Sequence, residues 1–147
     1  MKPLIKQKKL IQKKSKTFQI DIITPTSITS ISDASYLRVP SIDGLIGIQS
    51  KHANAIIALD IGEIKISDAN GKNTYYATSG GFADIKPEST QLLLETIEQD
   101  QDIDKKRVEK SLERANKRMS DKEQDLNRLN SSLKRAKNRL HVISRLS

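Results

Sequence analysis

The apolar positions of the first two thirds of the chain follow a strand pattern. Phe18, Ile20 and Ile22 alternate with polar residues, the period of two that is typical of a half-buried β-strand. Short apolar runs continue to Leu94, and turn residues separate them at intervals of about 8–12 positions, as in all-β domains. The pattern predicts a β-sandwich or barrel over residues 17–98.

Two glycine-containing turns stand out within this region. Asn70-Gly71 lies between two apolar runs and predicts a hairpin with a type I′ turn, because both residue types tolerate positive φ. Gly80-Gly81 predicts a bulge or a tight corner.

After residue 98 the apolar period changes from two to about 3.6, the period of an α-helix. Residues 99–102 form a polar stretch that we interpret as a linker. Asp104 is a good N-cap, and Ile103 and Val108 occupy the two positions of a hydrophobic staple. The first helical stripe consists of Val108, Leu112, Ala115 and Met119.

A second helix is predicted after a capping box, Ser120 to Glu123. Its apolar stripe has heptad spacing and consists of Leu126, Leu129, Leu133, Ala136, Leu140 and Ile143. Because only a short turn separates the two helices, they are expected to form an antiparallel hairpin over residues 99–147. The fold class is thus α+β, a β-sandwich followed by a helical hairpin.

Each helix has a single narrow apolar stripe. If the two stripes face each other, little apolar surface is left to hold the hairpin on the sandwich, since burial of a leucine is worth about 1.5–3 kcal/mol. We therefore expect the hairpin to dock weakly, so that a second site of comparable energy could compete for it.

Charge divides the chain into three parts, although the total is only +8. Residues 1–16 contain seven lysines and no acidic residue. Residues 17–100 contain five basic and eleven acidic residues, and residues 101–147 contain 14 basic and seven acidic residues. An acidic body with two basic ends indicates a modular chain rather than a uniformly basic nucleic-acid binder.

The residue types exclude several classes of chemistry. The absence of cysteine rules out disulfides, thiolate zinc sites and cysteine nucleophiles, and two histidines make a multi-histidine metal site improbable. No phosphate-loop, serine-hydrolase or zinc-protease motif occurs. No apolar run approaches the length that crosses a bilayer, and residues 1–16 lack the apolar core of a secretory signal. We therefore predict neither catalytic residues nor a metal site.

Arginines recur on both predicted helices with the same spacing of seven and then four positions: Arg107, Arg114 and Arg118, then Arg128, Arg135 and Arg139. They form either two solvated faces or a guanidinium surface for an acidic partner or a phosphate. Glu98 and Asp104 could complete a nucleotide pocket with Arg107, although the usual role of an aspartate at position 104 is helix capping.

Several segments, in this order and spacing, resemble the epsilon subunit of F-type ATP synthases, called delta in mitochondria. They are Phe18–Pro25, Arg38–Ile48, His52-Ala53, Leu59–Gly62, Ser79–Phe82, Ile103–Arg107, Arg114-Ala115 and Lys134–Leu140. The resemblance covers roughly residues 17–143.

This resemblance implies a non-catalytic subunit of the central stalk. Its sandwich would bind the gamma subunit and the membrane c-ring, and membrane contact would be indirect, at the cytoplasmic face of the cell membrane. Its hairpin would lie on the sandwich or extend toward the catalytic alpha and beta subunits and inhibit ATP hydrolysis.

Some bacterial members bind regulatory ATP through an Ile/Leu-Asp-x-x-Arg-Ala motif and further arginines. The matching residues here are Glu98, Asp104, Arg107, Arg114, Arg135 and Arg139, whereas Val108 stands in place of the alanine of the motif. The resemblance implies no other cofactor.

The lysine-rich residues 1–16 have no counterpart in typical members. They are expected to form a solvated, disordered tail, or else to contact anionic lipid head groups or an extra partner. The alternative interpretation of the whole chain is a basic adaptor that binds nucleic acid or anionic surfaces through its termini.

Overall fold

The computed structural model describes residues 17–119 and 126–146. The lysine-rich extension, the Ser120–Glu123 capping box and the predicted turn between the helices lie outside the described residues.

Within the described residues, nine strands form the N-terminal part. They are β1 (Phe18–Ile23), β2 (Ile28–Ser41), β3 (Gly44–Ile48), β4 (Ala55–Leu59), β5 (Gly62–Asp68), β6 (Asn73–Thr78), β7 (Gly81–Ile85), β8 (Ser89–Leu94) and β9 (Ile97–Gln99). Each is short except β2, whose 14 residues serve both halves of the sandwich.

The strands are hydrogen-bonded in the order β1-β8-β7-β4-β2-β5-β6-β9, with β3 added to β2. β1 pairs in parallel with β8 and also antiparallel with the first half of β2, so the sheet closes on itself. The predicted sandwich is confirmed, and in β1 and β8 alternate residues face its interior.

The main core fills the space between the two halves. It is built from aliphatic residues with one phenylalanine: Phe18, Ile20, Ile22, Ala34, Leu37, Val39, Ile48, Leu59, Ile64, Ile66, Ala83, Ile85, Leu92 and Leu94. The alternation predicted for β1 is confirmed, because Phe18, Ile20 and Ile22 are all buried there.

The hairpin turn between β5 and β6 differs from the prediction. A type I′ turn needs positive φ at both central residues, but Gly71 has φ +83° and Asn70 does not have a positive φ. The Gly71 N–H instead donates to the Asp68 carbonyl, and the Asp68 carboxylate accepts from the Asn70 and Lys72 N–H groups. The aspartate side chain therefore organises a longer loop in which only the glycine is left-handed.

The C-terminal part consists of α1 (Lys105–Met119) and α2 (Leu126–Ile143), followed by a short 3₁₀ turn, Ser144–Leu146. The start of α1 lies beside the end of α2, and the end of α1 lies beside the start of α2, so the hairpin is antiparallel as predicted. The Asp104 carboxylate accepts from the Arg107 N–H at 3.2 Å, which confirms the N-cap.

The segment interpreted as a linker is structured. Gln99 ends β9, which pairs with β6, and Asp100–Asp102 form a 3₁₀ turn in which Asp100 is buried. Polar composition concealed this attachment, because strand pairing satisfies the backbone whatever the side chains are.

A second apolar cluster joins the hairpin to the outer face of β6. Its buried members are Ala77, Ile103, Val108, Ala136 and Val142. Val142 lies outside the heptad stripe identified in the sequence, yet it is fully buried. The hairpin thus has more apolar surface for docking than the stripe alone provides.

Candidate functional site

A cleft of about 350 Å³ opens where the end of β9, the start of α1 and the end of α2 meet. Its walls consist of Glu98, Asp102, Asp104, Arg107, Val108, Ser111 and Arg139. Its volume lies in the range of small-molecule sites, about 300–1,000 Å³. Four of the six residues predicted as a nucleotide site, Glu98, Asp104, Arg107 and Arg139, therefore share one cleft.

An ion pair crosses the inner wall of this cleft. Arg139 Nη2 donates to Glu98 Oε1 at 2.5 Å, and both side chains are about one-third exposed. The pair joins strand β9 to helix α2, so it positions the guanidinium and also holds the hairpin.

On the outer wall of the cleft, the Asp104 carboxylate already accepts a hydrogen bond, whereas the Arg107 guanidinium is not paired with a carboxylate of the described residues. One Asp104 oxygen caps α1 by accepting from the Arg107 N–H. Among the described residues, the Arg107 guanidinium has no ion-pair partner, and it lines the cleft. Arg107, Arg139 and the Ser111 hydroxyl are the donors that could hold an anionic group here.

The remaining two predicted residues lie outside the cleft. Arg114 lines a neighbouring depression of about 230 Å³ between the helices, and its Nε donates to the Lys110 carbonyl at 3.4 Å. Arg135 donates to Ser132 Oγ at 3.2 Å and lies beside a gap of about 10 Å³ near Glu98. Ser111 borders both the cleft and the depression, so Arg114 approaches the cleft from its rim.

Two lining residues were missed from the sequence. Ser111 follows Arg107 by one helical turn, and the i, i+4 rule could have found it. Asp102 belongs to the stretch interpreted as a linker, and no local pattern marks it. Val108, which replaces the alanine of the nucleotide motif, forms part of the cleft wall and is buried.

Tyr76, which packs against the main core of the sandwich, has an altered pKa. Burial and, secondarily, the nearby Asp100 carboxylate raise the pKa of Tyr76 above its ordinary value of 10.0. Strand β6 carries Tyr76, whose partner in the β6–β9 ladder is Gln99. No group of three acidic or histidine side chains that could hold a metal ion occurs in the described parts of the chain.

The sandwich also presents an apolar patch to solvent. It consists of Ile42, Leu45, Ile56, Phe82 and Leu93, each between 43% and 77% exposed. Phe82 lies directly opposite Leu93 on β8 and Ala58 on β4, and the Ile42 N–H donates to the Ala58 carbonyl. Leu45, Ile56, Phe82 and Leu93 lie on β3, β4, β7 and β8, and Ile42 lies in the β2–β3 turn. A grouping of exposed apolar side chains of this kind is typical of a protein interface.

Both parts of the chain match known sequence families. Residues 17–100 match the family described as ATP synthase, Delta/Epsilon chain, beta-sandwich domain, and residues 101–144 match the long alpha-helix domain of the same chains. These two matches span nearly all of the described residues.

Curated relatives agree with the family matches. The chain is 32% identical over 126 residues to the ATP synthase epsilon chain of Shouchella clausii, a match that covers 86% of this chain and 94% of that protein. It is 33% identical over 128 residues to the ATP synthase epsilon chain of Staphylococcus haemolyticus, with coverage of 86% and 96%.

Solved structures with the same fold come from rotary complexes. A chain of the Euglena gracilis mitochondrial ATP synthase (OSCP/F1/c-ring, rotational state 1) superposes with a TM-score of 0.65 and 18% identity, covering 90% of this chain and 79% of that one. A chain of the Tetrahymena thermophila mitochondrial ATP synthase central stalk and c-ring superposes with a TM-score of 0.54 and 14% identity, covering 90% and 98%.

Neither helix in the described part of the chain is long and apolar enough to span a bilayer. The resemblance first seen in scattered sequence segments is confirmed by two family matches and by relatives that align over most of their length. The chain belongs to the ATP synthase delta/epsilon family.

Proposed function

We propose that this chain is a non-catalytic central-stalk subunit of a rotary F-type ATP synthase that couples the gamma subunit to the c-ring. Family membership is the single observation that carries the proposal, because the relatives are epsilon chains of this complex. The chain would lie peripherally at the cytoplasmic face of the cell membrane and reach the membrane only through the c-ring.

The apolar patch supports the coupling role. Its exposed side chains, centred on Phe82, would be costly to leave in water and are suited to burial against a partner. We assign this partner to gamma and the c-ring because the patch belongs to the rigid sandwich, the part suited to transmitting torque.

A substitution in the patch tests the coupling role. Phe82→Asp places a charge at the centre of the patch and should abolish co-purification of gamma and the c-ring with the chain. Asn70→Asp adds the same charge in an exposed turn and is the matched control. If Phe82→Asp still recovers both partners at the wild-type level, the patch is not the coupling surface.

The hairpin is the proposed regulatory element. In an extended state its helices would reach the catalytic alpha and beta subunits, and the basic residues of α1 would favour acidic surfaces there. Cutting the chain after Asp100 retains all nine strands and removes both helices. We expect the shortened chain to raise ATP hydrolysis by the assembled head, and unchanged rates would remove the braking role.

We further propose that the cleft at the base of the hairpin binds regulatory ATP, with Arg107 and Arg139 facing its phosphates. The observation in favour is that these guanidiniums share one cleft with the Ser111 hydroxyl and that Arg107 has no ion-pair partner among the described residues. Isothermal titration with ATP should show binding at millimolar concentration or below. Arg107→Gln should weaken it, whereas Lys106→Gln, the exposed neighbour, should not.

Val108 provides an independent test of the ATP site. Replacing Val108 with alanine removes two methyl groups from the cleft wall, which enlarges the cleft, and restores the alanine of the nucleotide motif. Tighter ATP binding by Val108→Ala is the expected outcome. No heat with ATP in either protein would exclude the ligand.

A further inference from the structure

A carboxylate is buried on the face of the sandwich that carries the hairpin. Glu63 is only 7% exposed, although it belongs to β5 and points away from the main core that contains its neighbour Ile64. Its partner in the β5–β6 ladder is Ala77, a member of the second apolar cluster. Because burial of an unpaired carboxylate is very costly, its partners define its role.

One partner comes from the sandwich itself. Arg38 Nη2, on β2, donates to Glu63 Oε1 at 2.6 Å. This contact joins two strands of the same rigid body, and it does not depend on the position of the hairpin.

The other two partners come from the end of the hairpin. Arg145 donates twice to Glu63, from Nε to Oε2 at 3.1 Å and from Nη2 to Oε1 at 3.3 Å. His141 Nε2 lies 3.3 Å from Oε2. The Arg145 guanidinium also lies over the Tyr75 ring, 5.2 Å from its centroid. A two-point guanidinium–carboxylate contact stacked on an aromatic ring is specific in direction as well as strong.

The same face of α2 makes two more polar contacts with the sandwich. Lys134 Nζ donates to Asp60 Oδ2 at 2.5 Å, and Asn138 Nδ2 donates to the Gly62 carbonyl at 2.7 Å. Lys134, Asn138 and His141 are spaced by four and three positions, so they share one face of α2, and Arg145 follows in the 3₁₀ turn after the helix. Helix α2 is therefore aligned along residues 60–63 by a polar seam beside the apolar cluster.

The two sets of partners give Glu63 different surroundings in different hairpin positions. If the hairpin left the sandwich, Glu63 would return to water and would keep its pair with Arg38, so its charge would be neither buried nor unpaired. When the hairpin docks, the carboxylate gains Arg145 and His141. We propose that Glu63 is the latch of the hairpin, a charge on the sandwich that holds the C-terminal end of α2 in the docked position. The regulatory consequence rests on the proposed function, but the latch itself does not.

Hydrogen exchange of the isolated full chain tests the latch. Glu63→Gln keeps the size of the side chain and removes its charge, leaving the Arg38 and Arg145 guanidiniums without a compensating carboxylate. We expect amides of α2 to exchange about tenfold faster or more, as loss of charge-assisted hydrogen bonds predicts. The strands should be unchanged. Glu88→Gln, at an exposed carboxylate in the β7–β8 turn, is the matched control and should leave α2 unchanged.

A second variant keeps the latch testable if Glu63→Gln also disturbs the strands. Arg145→Gln removes the hairpin side and leaves the Arg38–Glu63 pair within the sandwich intact. It too should accelerate exchange in α2 alone. The double variant should exchange no faster than Glu63→Gln, because both changes break the same contact. Wild-type α2 exchange in Arg145→Gln, or effects that add, would overturn the latch.

Hydrolysis by the assembled complex separates the latch from the braking role. If a hairpin released from the sandwich takes up the extended, inhibitory position, Glu63→Gln should lower ATP hydrolysis relative to Glu88→Gln. Faster α2 exchange with unaltered hydrolysis would leave the latch standing and contradict the regulatory function. Unaltered exchange would refute the latch, whatever the hydrolysis rate.

Discussion

At two glycines of the sandwich, neighbouring main-chain atoms lie so close that there is no room for a Cβ atom. At Gly81, φ is +147°, and an added Cβ would lie 2.0 Å from the Leu93 carbonyl oxygen. The neighbouring Gly80 also has positive φ, at +110°, and lies close to the Leu59 carbonyl. The glycine pair was predicted to form a bulge or a tight corner, and in the structure it makes the connection between β6 and β7 with positive φ at both residues.

Replacing Gly81 should therefore cost far more than replacing a glycine in an open turn. Gly81→Ala should lower the free energy of unfolding by about 2–4 kcal/mol, since it combines backbone strain with a clash against main-chain atoms. Gly71→Ala, where φ is +83° and no atom lies within 4 Å, should cost only about 1 kcal/mol. Urea unfolding followed by tyrosine fluorescence measures both, because all three tyrosines lie in the sandwich. Equal costs would contradict the steric explanation.

Tyr76 provides a second residue-scale prediction. Burial, with a further contribution from the Asp100 charge, raises its pKa, so the folded state favours the neutral phenol. The stability that this provides is complete below the ordinary tyrosine pKa and is lost as pH rises through the raised value. Asp100→Asn should shift the ionisation of Tyr76 to lower pH in a titration at 295 nm. Tyr76→Phe identifies its step, and an unmoved step would show that Asp100 has no influence.

At the scale of elements, the start of α1 combines a structural role with a candidate binding role. Asp104 caps the helix, while Ile103 and Val108 are buried together in the second apolar cluster. This N-cap and hydrophobic staple were predicted from three residues within six consecutive positions, because capping depends on residues close to one another in the chain. The predicted capping box of α2 lies outside the described residues and stays a prediction.

The cap should be separable from any nucleotide contact. Asp104→Ala should destabilise α1 by about 1 kcal/mol, whereas Asp104→Asn retains an acceptor and should cost only a few tenths. Hydrogen exchange at the first turn of α1 gives both values. A loss of ATP binding in Asp104→Asn without loss of α1 protection would assign the carboxylate a ligand role beyond capping.

At the scale of the whole molecule, two kinds of contact hold the hairpin to the sandwich. The apolar cluster around Val142 is shared with β6, and the polar seam runs along β5. The narrow stripes correctly indicated a hairpin, but they underestimated the apolar contact with the sandwich. Weak docking of the hairpin stays a prediction, which the hydrogen-exchange measurements on α2 test.

The Lys134–Asp60 pair, at the exposed end of the polar seam, predicts that docking of the hairpin depends on pH. The hydrogen bond from Lys134 lowers the pKa of Asp60, so the pair contributes to docking above the ordinary aspartate pKa. That contribution is lost as pH falls through the lowered value. Lys134→Met should accelerate α2 exchange at neutral pH by no more than about fivefold, since both side chains are largely exposed. The variant and the wild type should converge in acid; a difference that persists there would have another cause.

The sequence by itself determined the division into sandwich and hairpin, the N-cap at Asp104, the glycine corner and the family. Each of these depends on periodicity or on neighbouring residues, and such signals are local. Of the six residues that the sequence grouped into one site, four line the same cleft in the structure. Binding of ATP by these residues stays a prediction.

Only the tertiary structure decided which faces meet. A periodic pattern shows which side of a helix is apolar, but it does not show what lies opposite. For this reason the sequence did not show that Arg114 and Arg135 lie outside the cleft, or that Val142 is buried against the sandwich. No local pattern marks Glu63 as a buried residue, and one of the cations that pair with it, Arg145, lies 82 positions later in the chain. Pairings at such distances arise from packing, which no local pattern encodes.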